Sequence, residues 1–249
     1  MPLIKAVLFD YGDTLVVTRK SNPELVSKAM KESYLAFKEF GLGRSYAEFA
    51  DLDRGVFQRY MEEERERERD IPDELKYVEL AGILLPELAA VRRRKAAGTA
   101  NKAFWDAIAN GYELRRDAKA SLRELEKRAI KMAVVSNHHN GVALRAHLDG
   151  LGVSKYFTYV VASCELSYRK PDARIFRRAL RAIGARSGEA AYVGDSQKND
   201  VNGAKGAGML AIWMSGANRE GRVETTDAHP DYTVSSLRGV LEVVDRVNG

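Results

Sequence analysis

Residues 4–15, Ile4-Lys5-Ala6-Val7-Leu8-Phe9-Asp10-Tyr11-Gly12-Asp13-Thr14-Leu15, decide the fold. Ile4 to Phe9 is a short apolar run, and Asp10-Tyr11-Gly12-Asp13-Thr14 supplies turn chemistry directly after it. The run therefore reads as a buried strand carrying polar groups at its carboxyl end. In open α/β sheets, catalytic side chains commonly occupy that end of the strands. Three more polar clusters follow short hydrophobic runs: Ser136-Asn137, Arg169-Lys170-Pro171-Asp172, and Gly194-Asp195-Ser196-Gln197-Lys198-Asn199-Asp200. In a parallel sheet all four strand ends face one crevice, where a carboxylate nucleophile, a hydroxyl, a cation and further carboxylates would converge. Carboxylates so close repel, and need a metal ion or a lysine to neutralise them. Asp10 with Asp195 or Asp200, plus carbonyl and water oxygens, is a hard oxygen-only set suited to magnesium.

Outward from the first strand the periodicity changes. From Asn22 to about Asn110 it is helical. Pro23 opens a helix that places Val26, Ala29, Met30, Ser33, Phe37 and Phe40 on one face, and Ser45-Tyr46-Ala47-Glu48 is a capping box before Phe49, Leu52, Val56 and Tyr60. Helices are also predicted around Pro72 to Ala90 and Thr99 to Asn110. After about Arg115 helix and strand alternate, the signature of a mostly parallel sheet covered by helices. Strands fall at Lys131–Val135, Tyr159–Ala162, Ala190–Val193, Met209–Met214 and just after Tyr232; helices at Asp117–Arg128, Val142–Leu151, Asp172–Ile183, around Asp200–Ala207, and before Val247. The expected organisation is an α/β core from residues 1–16 and 115–249, with residues 17–114 inserted as an all-helical cap.

The chain has 249 residues, 45% apolar and 30% charged, which excludes wholesale disorder. No run of about 18 apolar residues occurs, so no membrane span is expected. Cys164 is the single cysteine and cannot form an internal disulfide, which fits a reducing, cytoplasmic setting. The net charge of +5 is spread in both signs and does not argue for a nucleic-acid partner. The run Glu62-Glu63-Glu64-Arg65-Glu66-Arg67-Glu68-Arg69-Asp70 reads as an exposed helix face, and Arg92-Arg93-Arg94-Lys95 as a basic surface patch.

The four clusters, in this order, resemble the motifs of the haloacid dehalogenase superfamily: Ala6-Val7-Leu8-Phe9-Asp10 through Leu15, then Val134-Val135-Ser136-Asn137, then Tyr168-Arg169-Lys170-Pro171-Asp172 with Ile175-Phe176, then Val193-Gly194-Asp195-Ser196 through Asp200. The resemblance implies a Rossmann-like sheet with helices on both faces and a helical cap. It implies a Mg²⁺-dependent phosphomonoester hydrolase acting on a small phosphorylated metabolite, as a monomer or homodimer. Asp10 would attack phosphorus and form an aspartyl-phosphate. Mg²⁺ would sit between Asp10, the Gly12 carbonyl and Asp195, with Asp200 as a ligand or its support. Ser136 and Lys170 would complete the catalytic set, and Thr14 and Asn137 would bind substrate.

One position departs from the family pattern. Many phosphatases of this type carry a proton-donating Asp two residues after the nucleophile, where this chain has Gly12. Asp13, His138 and His139 are the replacements weighed, beside none at all. Arg19, Arg54, Tyr60 and Trp105 are conceivable specificity residues of the cap, and Cys164 reads as a small buried residue. The alternatives are a haloacid dehalogenase using the same Asp, against which Asp195 and the placement of Tyr11 count, and a catalytically weak binding protein.

Overall fold

The computed structural model describes residues 3–18, 21–215 and 229–249; Arg19 lies outside them. The elements in chain order are β1 (Ala6–Phe9), β2 (Val16–Thr18), α1 (Asn22–Lys38), α2 (Tyr46–Arg67), α3 (Asp73–Leu84), α4 (Ala90–Ala109) and β3 (Tyr112–Leu114), then α5 (Ala118–Lys127), β4 (Lys131–Ser136), α6 (Gly141–Gly150), β5 (Tyr159–Ala162) and α7 (Ala173–Ile183). The chain continues through β6 (Ala190–Gly194), α8 (Asn202–Gly206), β7 (Leu210–Met214), β8 (Tyr232–Val234) and α9 (Leu237–Asn248).

Six strands form one parallel sheet in the order β5-β4-β1-β6-β7-β8. The all-apolar β1 is central and wholly buried, as a strand covered on both faces must be. Its side chains alternate between the two cores: Val7 and Phe9 join Leu122, Val134 and Val244 on one face, Ala6 and Leu8 join Phe176, Leu180 and Tyr192 on the other. The chain winds outward from β1 in both directions, which makes the carboxyl end of β1 the switch point of a doubly wound sheet. Register sets the site: Phe9 pairs with Val134 on one side and Val193 on the other, so Asp10, Ser136 and Asp195 emerge at one edge.

α1 to α4 lie between β2 and β3 and pack around Phe37, Phe49, Tyr77, Leu80 and Leu84. The capping box at Ser45 and Glu48 forms as read, each residue closing on the other. Five details differ from the sequence reading. The helix expected over Pro72 to Ala90 stops at Leu84, two residues before Pro86, and the helix expected from Thr99 starts at Ala90 and runs through Gly98. β2 and β3 form a small antiparallel ribbon at the base of the insertion, each too short for a periodic signal. Leu25 rather than Val26 is buried on α1, beside Gly111. The run after Asp195 begins as one wide π turn, Gln197–Val201, before α8. Among the described residues no helix is long and apolar enough to cross a membrane.

Candidate active site

Asp10 leaves β1 with its amide bonded to the Val193 carbonyl at 2.8 Å, which fixes the carboxylate at the sheet edge. Lys170 reaches it from the loop before α7. The ammonium is 3% exposed, and it donates to Asp10 Oδ1 at 2.6 Å, Asp200 Oδ1 at 2.7 Å and the Tyr192 hydroxyl at 2.9 Å. Tyr192 donates its own O–H to the Val135 carbonyl at 2.8 Å, so it holds the lysine from beneath. Burial alone would lower the lysine pKa; Asp10 and Asp200 outweigh it and keep the group charged.

The wide turn after Ser196 aims Asp200 back at the sheet. Its carboxylate accepts from the Ser196 amide at 3.0 Å as well as from Lys170. Gly194 makes room for this, since a Cβ there would stand 2.3 Å from Asp200 Cγ. Oxygens of Asp10, Asp195 and Asp200 lie within 4.8 Å of one another. Burial, then repulsion from Asp10 and Asp200, pushes the Asp195 carboxyl up, and burial does the same to Asp200. Three carboxylates facing one lysine form a site short of positive charge, built only of hard oxygens, and such a donor set fits a divalent cation.

Ser136 closes β4 and, with Asp10, Gly12, Asp13, Lys170, Asp195 and Asp200, lines a crevice of about 940 Å³. The two expected substrate ligands are placed differently. Thr14 is wholly buried with its hydroxyl unpartnered among the described residues, because the left-handed step at Asp13 (φ 52°) turns it into the interior. Asn137 lines the crevice, and its amide also bonds the Lys170 main chain, donating to the carbonyl at 3.0 Å and accepting from the N–H at 2.8 Å. It tethers the lysine loop to the end of β4.

The proton-donor candidates separate in the same way. His138 packs against Trp105 with ring centroids 4.5 Å apart and accepts from the Asn140 amide at 3.0 Å; burial drops its pKa to about 3 and keeps it neutral. His139 also lines the crevice, with its Nδ1 3.2 Å from Glu64 Oε1 on α2. Asp13 remains at the crevice. Asp172 caps α7 by accepting from the Arg174 amide. Cys164 is buried, and burial raises its thiol to about 11, so it stays protonated. Arg54 is paired with Asp51 on the outer surface, away from the crevice.

The acidic run of α2 is not wholly a solvated face. Glu64 and Asp70 are buried. Glu64 pairs with Lys76 at 2.9 Å and with His139, and Asp70 accepts from Arg169 at 2.5 Å and from Ser163. These bonds join the helical insertion to the loops flanking Ser136 and Lys170. Their partners lie far along the chain, so local periodicity carries no sign of them. Tyr192 was equally hidden, since an aromatic inside a buried strand reads as core.

A doubly wound sheet with three carboxylates and a lysine at its switch point, under a roof of helices, is the framework of an α/β enzyme. The chain belongs to the haloacid dehalogenase-like hydrolases, whose family profile matches residues 4–208. It is 40% identical over 130 residues to a phosphoserine phosphatase of Thermus thermophilus, a match spanning 52% of this chain and 51% of that one. It is 29% identical over 245 residues to a glyceraldehyde 3-phosphate phosphatase of Methanopyrus kandleri, 97% of each chain. Among solved structures, a 2-haloacid dehalogenase from Pseudomonas syringae superposes with a TM-score of 0.71 at 23% identity, covering 98% of this chain and 99% of that one. A phosphatase of the same family from Thermococcus onnurineus superposes at 0.63 with 24% identity, covering 97% and 98%. At these identities the two structures speak for the fold alone.

Proposed function

We propose that this hydrolase cleaves phosphomonoesters of small metabolites in a magnesium-dependent reaction with Asp10 as nucleophile, and that residues 17–114 act as the cap. The observation that carries this reading is the crowding of Asp10, Asp195 and Asp200 around the single ammonium of Lys170. Displacement of halide from carbon has no use for a cation-binding acid set, whereas an anionic carboxylate attacking an anionic phosphate does. The phosphatases among its relatives support the same reaction class.

In this mechanism Asp10 attacks phosphorus, the bond to the leaving oxygen breaks, and water later hydrolyses the aspartyl-phosphate. Asp10, Asp195 and the Gly12 carbonyl, with Asp200 beside them, would hold the Mg²⁺, which when bound supplies charge screening between carboxylate and phosphate. Lys170 orients Asp10 and balances charge on the transferring group, and Tyr192 and Asn137 hold Lys170 in place. Ser136 donates to a phosphoryl oxygen. Asp13, the carboxyl of the first loop that lines the crevice, holds the proton for the leaving oxygen.

Hydrolysis of p-nitrophenyl phosphate, with Mg²⁺ and after chelation, tests the proposal. Turnover that falls by about 10³-fold or more in Asp10→Asn and on chelation is expected. Equal rates in Asp10→Asn and the parent would overturn it.

A further inference from the structure

We propose that the crevice selects phosphomonoesters with an apolar or aromatic leaving group, seated against Trp105 and its neighbours. This rests on the phosphomonoester reading and goes beyond it, since the relatives named above act on compact polar esters.

The insertion turns several apolar side chains toward the crevice, some of them, such as Phe104, also touching its own core. Val26 on α1 and Met61 on α2 line it while 41% and 63% exposed, and Phe104, Trp105 and Ile108 present one face of α4 to it. Tyr112 on β3 closes the side next to Tyr11. Unshielded apolar surface gathered at a concave site marks a ligand surface, because leaving it in water is unfavourable.

Four charged groups around Trp105 are committed to neighbours, while Arg65 on α2 lines the crevice as well. Lys76 is 2.9 Å from Glu64 and 3.0 Å from Asp73, Glu64 also faces His139, and Asp73 accepts from the Trp105 indole at 3.1 Å. Arg169 is bonded to Asp70. A polar leaving group seated beside Trp105 would have to break these pairs, whereas an apolar one finds open surface. Trp105 is also rigid before anything binds, with its indole N–H held by Asp73 and its ring against His138. A preorganised aromatic platform loses little entropy on contact. The crevice volume of about 940 Å³ is that of a site for drug-sized ligands and exceeds the needs of a three-carbon ester.

The test compares phenethyl phosphate with ethyl phosphate, whose leaving alcohols are similarly basic, so the difference in kcat/KM reads the crevice and not the chemistry. The matching non-hydrolysable phosphonates give binding without turnover. Roughly tenfold or greater preference for the phenethyl compound is expected in both readouts. That preference should shrink toward unity in Trp105→Ala and, as a check against misfolding, in the exposed Met61→Ser. Equal kcat/KM and equal phosphonate binding for the two compounds would overturn the inference while leaving the phosphatase reading intact. Absence of Asp10-dependent turnover on every ester, with the phenethyl phosphonate still bound more tightly, would instead sink the phosphatase reading.

Discussion

At Gly194 the missing side chain is what lets β6 end beside Asp200, since a Cβ would come within 2.3 Å of that carboxyl carbon and of its Oδ2. Both atoms belong to a rigid group held by Lys170 and the Ser196 amide, so neither can move cheaply. Gly194→Ala is expected to cost about 1 to 3 kcal/mol of stability and to lower phosphatase turnover about 10²-fold; urea unfolding and steady-state kinetics check the two effects. Asp13 occupies a left-handed backbone position that Asp and Asn both tolerate, so Asp13→Asn isolates its proton. That variant should lose about 10²-fold on alkyl phosphates and little on p-nitrophenyl phosphate, whose leaving group needs no proton. A uniform loss on both esters would remove Asp13 from the role.

Helix α2 shows what an element hides. Its acidic carboxyl-terminal run is mostly exposed, yet Glu64 faces inward to Lys76 and His139. Burial would raise the Glu64 carboxyl, but the His139 contact, the Ile71 amide and Lys76 together hold it at about 2. His139 moves the other way: burial opposes its charge and the Glu64 contact overrides it, lifting the imidazole above its ordinary 6.5. A raised folded pKa adds stability that is full below the unfolded value and disappears as pH rises through the folded value. His139→Gln is therefore expected to destabilise the protein by about 1 kcal/mol or more at pH 6 and clearly less at pH 9, as followed by thermal unfolding. A difference independent of pH would show that the ring acts by packing alone.

For the molecule as a whole, the carboxylate cluster at the sheet edge is a standing electrostatic cost that a bound cation would remove. Asp195 and Asp200 titrate upward because burial and neighbouring acids disfavour their charge. A ligand that binds only the folded chain stabilises it by mass action, by about 2.7 kcal/mol at a hundredfold excess over its Kd. Millimolar Mg²⁺ should accordingly raise the melting temperature by several degrees, chelation should reverse it, and Asp195→Asn should abolish the increment. An equal increment in Asp195→Asn would place the ion elsewhere.

The arrangement of strands and their polar ends was legible because both signals are local: an apolar run reads as a buried strand, and each functional cluster follows its own strand within a few residues. Parallel winding then brings Asp10, Ser136, Lys170, Asp195 and Asp200 to one edge without further information. Where a side chain points within that edge was not local. Thr14 turns inward through the backbone of Asp13, Asn137 bonds a loop 33 residues away, and His139 is drawn to Glu64 of the insertion. The same holds for Lys76, Asp70 and Tyr192, whose burial is tolerated only because partners distant in sequence arrive beside them. Sequence by itself determined the parallel sheet and the polar groups at its edge; only the tertiary structure decided the order of the strands and which polar groups are spent on one another, because pairing depends on distances in space that periodicity does not encode.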